Sequence, residues 1–402
     1  MAKKTIDQVD VSGRRVLMRV DFNVPVDDQG NVTDDRRIRM SLPTIHSVID
    51  RGGRLVLISH LGRPEGRGYE KPFSLEPVAT RLGELLPNRK VTFAPHDCVG
   101  AEAAAAVGAM KDGEIVVLEN LRFHAGEERN DASFAGKLAA FGEIYCNDAF
   151  GTAHRKHASM VAVPQAMSDH PRAAGLLMRD ELKFLSEAMA NPERPFVAVI
   201  GGAKVSDKIG VIRNLLSRVD TILIGGAMAY TFLAANEVET GSSLVQRGMI
   251  DDARKMIDEA AASKTELILP EDHVCGRQIT SHTPVRVVEG DIPEGWMGLD
   301  IGPKSAAQYL KVLSKAKTVV WNGPMGAFET QPFDVGTRQV ATAIAEVTGR
   351  GGTTIVGGGD SAAAVEGFGL SERFSHVSTG GGASLEMLEG KVFPALALIE
   401  DA

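Results

Sequence analysis

The chain has 402 residues, of which 44% are hydrophobic and 24% are charged, and its formal net charge is −8. This is the composition of a globular protein that is long enough to form two hydrophobic cores. The acidic balance argues against bulk nucleic-acid binding and against a role on an anionic membrane surface.

The N-terminal segment MAKKTIDQVDVSGRRVLMRV has no continuous apolar stretch of the kind found in secretory signals, so we expect a cytoplasmic protein. The three cysteines, Cys98, Cys146 and Cys275, are far apart and form no C-x-x-C pair. Their spacing indicates neither a disulfide framework nor a zinc site. We interpret each thiol as a small buried hydrophobic group in a reducing compartment.

Short apolar runs bounded by turn residues predict strands that are covered on both faces. In chain order, these runs are Val16–Phe22, Leu55–His60, Ile115–Leu118, Glu143–Cys146, Phe196–Ile200, Thr221–Ile224, Glu266–Leu269, Thr318–Trp321 and Thr353–Val356. The predicted helices between them include Leu75–Leu86, Arg172–Ala190, Ile250–Ala262 and Gly336–Val347. The alternation predicts an α/β fold with two doubly wound, Rossmann-like parallel-sheet domains.

The predicted helix over 172–190 is the best boundary, because Asn191-Pro192 and Pro195 end it and stiffen its exit. We therefore predict a first domain over 1–172, a connecting helix and hinge over 173–195, and a second domain over 196–380. Residues 381–402 are predicted to form a C-terminal helix and tail.

Ligands of open parallel sheets bind beyond the carboxyl ends of the strands. In the first half, the segments after three of the predicted strands, together with the loop that contains Arg36, Arg37 and Arg39, carry Arg or His. Several guanidinium groups at one rim would hold a small substrate with several negative charges. Any one of these arginines taken alone is better explained as a solvated surface residue. His60 and His154 fit an ordinary core or capping role equally well.

In the second half, five glycine-bearing segments follow strands, beginning at Gly201, Gly225, Trp321, Gly357 and Thr379. A glycine-rich turn into a helix presents backbone N–H groups to an anion. A single glycine turn is explained as a tight connection, but five in one half favour a nucleotide site. Neither G-x-x-x-x-G-K-[ST] nor G-x-G-x-x-G is present, so the site is neither of the Walker type nor of the dinucleotide-binding type.

Two kinds of charged side chain accompany these glycines. Lys204 and Lys208 are predicted to start a helix and to share one of its faces, where they would meet a transferring phosphoryl group. Asp360 follows a glycine run and is a natural ligand for Mg²⁺ that is also held by nucleotide oxygens. A helix N-cap role explains Asp360 equally well.

Taken together, the sequence resembles the phosphoglycerate kinase family over essentially its whole length. The motifs that carry the resemblance are VDFNVP (20–25), SHLGRP (59–64), LENLRF (118–123), FGTAHR (150–155), GGAKVSDKI (201–209), WNGPMGAFE (321–329), GGGDSAA (357–363) and TGGGAS (379–384). The resemblance implies reversible phosphoryl transfer between 1,3-bisphosphoglycerate plus ADP and 3-phosphoglycerate plus ATP, with Mg²⁺ bound to the nucleotide. It also implies a monomer whose last residues pack against the first domain.

The resemblance assigns residues to each ligand. The phosphoglycerate residues are Asp21, Asn23, Arg37, His60, Arg63, Arg122 and Arg155. The nucleotide residues are Lys204, Gly225, Gly226, Leu299, Asn322, Pro324, Glu329, Gly358, Gly359, Asp360 and Ser361, with Asp360 as the metal ligand. The residues assigned to the transferring group are Arg37, Lys208, Gly381 and Gly382.

The family usually has a small or polar residue before R-I-R, whereas here Arg36 precedes Arg37, and we align Arg37 with the functional arginine. The implied chemistry needs no general base, because the acceptor carboxylate is already ionised at neutral pH. Positioning and charge stabilisation take its place, and the implied geometry requires the two domains to close.

Two other classes of protein compete with this interpretation. An NAD-dependent dehydrogenase with two Rossmann-like lobes is disfavoured by the missing dinucleotide fingerprint. A two-lobed solute-binding protein is disfavoured by the paired lysines and by the N-terminal sequence.

Overall fold

The computed structural model describes residues 3–378 and 380–402, including all side chains except those of Glu187 and Ala188. The chain divides into two compact units. Unit 1 comprises the residues up to Leu182 together with Val392–Ala402, and unit 2 comprises Lys183–Lys391. Within the described ranges, no helix combines the length and the apolar character needed to cross a membrane.

Unit 1 contains a parallel sheet with the strand order β3-β4-β2-β1-β5-β6. Its strands are β1 (Arg15–Arg19), β2 (Arg54–Ile58), β3 (Val91–Ala94), β4 (Ile115–Leu118), β5 (Ile144–Asn147) and β6 (Arg172–Ala174). The helices that accompany it are α1 (Arg36–Ile49), α2 (Glu76–Leu85), α3 (Ala101–Gly108), α4 (Ala125–Glu128), α5 (Ala132–Ala139), α6 (Ala162–Ala166) and α7 (Leu176–Ala190), of which α7 contains the division between the units.

Alternate residues of the unit 1 strands fill two cores, one on each face of the sheet. Val16 and Met18 of β1 belong to one apolar cluster, and Leu17 between them belongs to the other. This is why the strands appear in the sequence as continuous apolar runs.

Unit 2 contains a second parallel sheet, with the order β15-β14-β13-β7-β8-β9, and a small antiparallel sheet with the order β11-β10-β12. The strands are β7 (Phe196–Ile200), β8 (Thr221–Ile224), β9 (Glu266–Ile268), β10 (Asp272–Gly276), β11 (Arg286–Glu289), β12 (Met297–Ile301), β13 (Thr318–Asn322), β14 (Thr353–Gly357) and β15 (His376–Val377). The helices are α8 (Ile209–Leu216), α9 (Ala229–Ala235), α10 (Ile250–Ala262), α11 (Pro303–Leu313), α12 (Val335–Gly349), α13 (Gly359–Gly367) and α14 (Gly382–Leu388).

The C-terminal residues of the chain pack within unit 1. The short helix α15 (Pro394–Ala397) follows Phe393, whose ring centroid lies 6.0 Å from that of Phe150. Glu400 accepts a hydrogen bond from the Lys4 ammonium at 3.0 Å. These contacts join the two ends of the chain within unit 1.

The predicted fold class of two parallel-sheet α/β domains is confirmed, but two local predictions are wrong. The first concerns residues 172–190, which are not one helix: Arg172–Ala174 forms β6 and the helix begins only at Leu176. Pairing of these residues with Tyr145–Asn147 of β5 overrides the helical preference of the alanines, because edge-strand hydrogen bonds are available there.

The second wrong prediction concerns Lys204 and Lys208, which do not share a helix face. Residues 201–208 form turns and bends, and α8 begins at Ile209 with Lys208 as its N-cap residue. The backbone there is committed to other loops, since the Gly202 amide donates to the Pro324 carbonyl at 3.0 Å and Gly202 O accepts from Met228. A helix over these residues would lose those bonds.

Candidate active site

The strand ends of unit 1 bring together a cluster of cationic and polar side chains around His60. The Arg37 guanidinium lies 2.6 Å from one carboxylate oxygen of Asp21, and the other oxygen of Asp21 lies 3.9 Å from Nδ1 of His60. His60 is buried, and its pKa lies well below the usual value because of burial and because of the charges of Arg19, Arg122, Arg155 and Arg37. The imidazole is therefore neutral at physiological pH.

A second arginine fixes which nitrogen of His60 carries the proton. The Arg19 guanidinium donates to His60 Nδ1 at 3.1 Å, and a guanidinium has only donors. Nδ1 must therefore accept, which leaves the proton on Nε2. The neutral ring thus has a fixed donor available for an anion.

The loop after β2 is held by two of the predicted residues. Oδ1 of Asn23 accepts from the Gly62 amide at 2.9 Å, and the nearly buried Arg122 guanidinium donates to the Gly62 carbonyl at 2.7 Å. Arg63, the next residue, is exposed and has no hydrogen-bond or ion-pair partner within the described ranges. Arg122 is therefore partly a structural residue, whereas the Arg63 side chain is free to meet a ligand.

The extra arginine of this segment has a separate partner. Arg36 pairs with Asp34 at 2.7 Å, whereas its neighbour Arg37 pairs with Asp21. The two adjacent guanidinium groups are therefore directed to different carboxylates, and Arg37 is the one that joins the cluster around His60.

Unit 2 contains a cavity of about 330 Å³ beyond the ends of β7, β13 and β14. Its lining includes nine of the predicted residues, which are Lys204, Lys208, Asn322, Gly358, Gly359, Asp360, Ser361, Gly381 and Gly382. Thr379, the first residue of the TGGGAS motif, lies outside the described residues.

Two polar groups converge in this cavity. The Lys208 ammonium donates to Oδ1 of the buried Asn322, while Nδ2 of Asn322 is buried and has no hydrogen-bond partner among the residues that the structure describes. Burial lowers the pKa of Lys208 to about 8, although the carboxylates of Asp360 and Asp207 oppose that effect. An unpartnered amide beside a desolvated ammonium is an arrangement that favours an anionic ligand.

Asp360 and Ser361 play different parts in the first turn of α13. Gly358, with φ of +91°, occupies the N-cap position, so the alternative cap role of Asp360 is wrong. Asp360 is exposed and has no hydrogen-bond or ion-pair partner in the described part of the chain. Ser361 is buried, and its hydroxyl accepts from the Gly323 amide at 2.6 Å, which fixes the loop after β13.

Five of the predicted nucleotide residues do not line the cavity, namely Gly225, Gly226, Leu299, Pro324 and Glu329. For the two glycines, the structure supplies a packing reason. A Cβ at Gly225 would lie 2.5 Å from the Met325 sulfur, and one at Gly226 would lie 2.5 Å from the Gly202 nitrogen. Only glycine lets these loops cross so closely, and Gly226 also has φ of +67°.

Comparisons with known proteins identify the family to which the chain is similar. The model of the family described as phosphoglycerate kinase matches residues 6–391. A relative named phosphoglycerate kinase from Rhodopirellula baltica is 54% identical, covering 100% of both chains, and one from Thermosipho africanus is 53% identical, covering 99% of this chain and 98% of the relative. The structure of phosphoglycerate kinase from Coxiella burnetii is similar with a TM-score of 0.88 and 38% identity, covering 98% of each chain.

The chain belongs to the phosphoglycerate kinase family. The reaction of this family is the reversible glycolytic transfer of a phosphoryl group between 1,3-bisphosphoglycerate plus ADP and 3-phosphoglycerate plus ATP, and the chain is accordingly a kinase. It acts on small-molecule substrates.

Sequence reasoning did not predict the buried hydrogen-bond network that holds the cluster around His60 in place. Arg19 is fully buried and donates to Ser159 Oγ at 2.9 Å, and Ser159 in turn donates to the buried Glu127 at 2.6 Å. Burial lowers the pKa of Arg19 and raises that of Glu127, and the charge of each residue opposes the shift of the other. The sequence did contain a signal for this network, namely Arg19 at the end of an apolar strand, because a charged side chain must have a partner once it is buried.

Proposed function

We propose that the basic cluster of unit 1 binds the phosphoglycerate and that the cavity of unit 2 binds the Mg-nucleotide, so that the chain transfers the phosphoryl group directly between them. The observation that carries this proposal is the contrast between the two sites. One is a set of guanidinium groups around a neutral imidazole donor, and the other is a glycine-lined cavity with a desolvated ammonium.

The carboxylate and phosphate of 3-phosphoglycerate suit the first site. Arg37, Arg63, Arg122 and Arg155 supply guanidinium groups, and His60 supplies its Nε2–H. Forked donors pair well with carboxylate and phosphate oxygens. Asp21 orients Arg37 through the 2.6 Å ion pair. Together these residues would hold the acceptor carboxylate in one orientation.

The phosphates of the nucleotide suit the second site. Lys208 and Nδ2 of Asn322 would donate to phosphoryl oxygens, and the exposed ammonium of Lys204 would add a further positive charge. We assign Lys208, with Arg37 and the backbone of Gly381 and Gly382, to stabilising the charge of the transferring group. No group is needed to remove a proton, since the attacking carboxylate is already ionised.

The remaining predicted residues have more distant roles in the nucleotide site. Gly225, Gly226 and Pro324 shape the loops behind the cavity, because Pro324 O accepts from Gly202 and Gly226 N donates to Met325 O. We propose that Leu299, which is nearly buried, and Glu329, which is exposed, meet the nucleoside.

The donor set fits Mg²⁺. Asp360 presents an exposed carboxylate at the cavity, and Mg²⁺ is usually held by one or two carboxylates together with nucleotide phosphates and water. When bound, the ion would neutralise phosphate charge. Asp360→Asn should therefore weaken MgADP binding about tenfold, the loss expected for one charged contact, while binding of ADP measured with EDTA stays unchanged. Equal affinity of the variant and the wild type for MgADP would remove Asp360 from the metal site.

Direct transfer requires the reacting atoms to approach within roughly 3–3.5 Å. Because the two ligands are assigned to different units, we propose that the units close on the doubly liganded protein, with hinges at the ends of α7 and near Thr379–Gly382, of which Thr379 lies outside the described residues. Closure would also exclude water from the acyl phosphate. Small-angle scattering should show a smaller radius of gyration with both ligands than with either one. An unchanged radius would count against closure.

The decisive test of function is a coupled assay of ATP formation from 1,3-bisphosphoglycerate and ADP. Formation of ATP that depends on both substrates is expected, and NAD reduction or ligand binding without turnover would contradict the proposal. We further propose that the protein acts as a monomer in the cytoplasm and that it binds neither nucleic acid nor membranes. Sedimentation of the purified chain tests the monomer.

A further inference from the structure

Three side chains that commonly bind metals lie together in unit 1. Asp97, Cys98 and His124 each offer one ligand atom, and these atoms all lie within 4.8 Å of one another. Asp97 and Cys98 belong to the loop after β3, whereas His124 follows the short 3-10 helix after β4. Because β3 and β4 are adjacent parallel strands, their carboxyl ends bring the two loops to one place.

Local contacts hold two of these side chains in position. His124 Nε2 donates to Asp97 Oδ1 at 2.8 Å, and the same oxygen accepts from the Val99 amide at 2.9 Å. The His124 ring also stacks on Phe134, with ring centroids 4.9 Å apart. Contacts of this kind restrict the rotamers of metal ligands and so reduce the entropy cost of binding.

The accessibility of the three groups suits entry of an ion from solvent. The Cys98 residue is only 1% exposed, whereas the side chains of Asp97 and His124 are 48% and 33% exposed. An ion would therefore arrive on the side of Asp97 and His124 and meet the sulfur beneath them.

The electrostatic field at the sulfur is negative. Burial raises the pKa of the Cys98 thiol, and the carboxylates of Asp97, Glu127 and Glu119 raise it further. The same carboxylates attract a divalent cation. The cationic side chains of Arg129 and Lys137, which line the neighbouring groove together with His124, oppose that attraction.

We propose that Asp97, Cys98 and His124 form a zinc-binding site. A carboxylate oxygen, a thiolate and an imidazole are ligands that Zn²⁺ accepts in tetrahedral geometry, at about 2.0–2.3 Å. Ligand atoms around such an ion lie roughly 3.3–3.8 Å apart, so the present arrangement needs only small adjustments. Three protein ligands leave the fourth position to water.

The protons balance as follows. The Cys98 S–H bond breaks as the Zn–S bond forms, which releases one proton to solvent. The proton on His124 Nε2 gives way to the ion and the ring takes its Nδ1–H tautomer, so this step releases no proton. The carboxylate of Asp97 is already ionised when it exchanges its hydrogen bond for the ion.

This site is distinct from the one proposed for Mg²⁺ in unit 2. Mg²⁺ requires hard oxygen ligands in octahedral geometry, and it does not compete well for a thiolate. The spacing of the cysteines gave no indication of the site, because the histidine comes from another loop.

The test is a titration of the metal-free full chain with Co²⁺, a spectroscopic substitute for Zn²⁺, in excess Mg²⁺ and without thiol reductants. One equivalent of Co²⁺ should produce a thiolate-to-cobalt charge-transfer band and the intense visible bands of tetrahedral cobalt. Zn²⁺ should abolish both, and a pH indicator should report one proton released per Zn²⁺ bound. The melting temperature should rise with Zn²⁺ concentration.

Variants locate the site. Cys98→Ser should eliminate the charge-transfer band, and Asp97→Asn, which can still accept from Val99, should raise the Kd for Co²⁺ at least tenfold. Cys275→Ser changes another buried free cysteine and should leave the spectrum unchanged.

Absence of the band in the wild type, or its persistence in Cys98→Ser, would overturn the proposal. If Cys98→Ser does not fold, Asp97→Asn and His124→Gln decide the matter. Wild-type affinity for Co²⁺ in both of these variants would then refute the site.

Discussion

In unit 1 the groups beyond the strand ends are mainly charged side chains, whereas in unit 2 they are mainly glycine backbone with a few polar side chains. The first site is held by other side chains, as when Arg19 fixes the ring of His60 at 3.1 Å. The second is held by loops that cross at backbone contact distance, as when the Gly202 amide donates to the Pro324 carbonyl at 3.0 Å.

This difference shows that one sheet architecture can present either kind of surface. A side-chain site tolerates some change in the backbone beneath it, but it depends on buried charges having partners. A backbone site depends on the absence of Cβ atoms where loops cross. The two units should therefore respond to mutation in different ways.

The largest expected effect is on turnover, and it comes from Lys208, the partly buried charged side chain in the glycine-lined cavity. Lys208→Ala should lower kcat by about 10²–10³-fold, the usual cost of losing one group that stabilises transition-state charge. The KM for 3-phosphoglycerate should change little, because that ligand is assigned to unit 1. Steady-state kinetics measure both quantities.

Lys204→Ala is the matched control, since this lysine lines the same cavity but is exposed. It should mainly raise the KM for ADP. A turnover of Lys208→Ala within about threefold of the wild type would be too small for a lost transition-state contact and would reject its assignment.

The next effect concerns stability. Gly226→Ala would place a Cβ 2.5 Å from the Gly202 nitrogen and 2.8 Å from the Pro324 oxygen, at a residue with φ of +67°. The free energy of unfolding should fall by about 3 kcal/mol, combining left-handed strain with a forced backbone shift. Urea denaturation measures the loss.

The control is Gly359→Ala, because a Cβ there meets nothing within 4 Å and φ is not positive. Its stability should stay within about 0.5 kcal/mol of the wild type, as for an unconstrained surface position. Equal losses of unfolding free energy in the two variants would show that the close crossing of loops is not the reason for glycine at position 226.

A smaller effect, on 3-phosphoglycerate affinity, is expected for two arginines of unit 1, only one of which also stabilises the fold. Arg63→Ala and Arg122→Ala should each weaken 3-phosphoglycerate binding about tenfold, the value of one charge-assisted hydrogen bond, without changing ADP affinity. Only Arg122→Ala should also lower the melting temperature, because its guanidinium donates to Gly62 and is nearly buried. Calorimetry and thermal unfolding distinguish the two variants, and parallel losses for both ligands would contradict the two-site layout.

The smallest effect is a dependence on pH. The pKa of Lys208 is lowered to about 8 by burial, so the ammonium is present below that pH and is lost above it. The kcat/KM for ADP, which reports the free enzyme, should fall above about pH 8 and approach a tenfold loss per pH unit. Lys208→Arg should lack this alkaline decline, since a guanidinium does not titrate there. An identical decline in both enzymes would assign it to another group.

Local sequence determined the bounds of several strands and of one helix, and the identity of the residues that follow the strands. The strands Ile115–Leu118, Phe196–Ile200 and Thr221–Ile224 and the helix Ile250–Ala262 were predicted to the residue, because apolar runs bounded by turn residues reflect burial directly. The motif residues after these strands could be named for the same reason, since the carboxyl ends of parallel strands share one edge of a sheet.

Tertiary contacts decided the rest. Arg172–Ala174 became a strand because β5 offered a pairing edge, and Lys204 was excluded from a helix because its loop bonds to other loops. The proton position on His60 follows from Arg19, which ends the adjacent strand β1 but lies 41 residues earlier in the sequence. Such features depend on groups brought together only by folding, so no local pattern of propensity or periodicity specifies them.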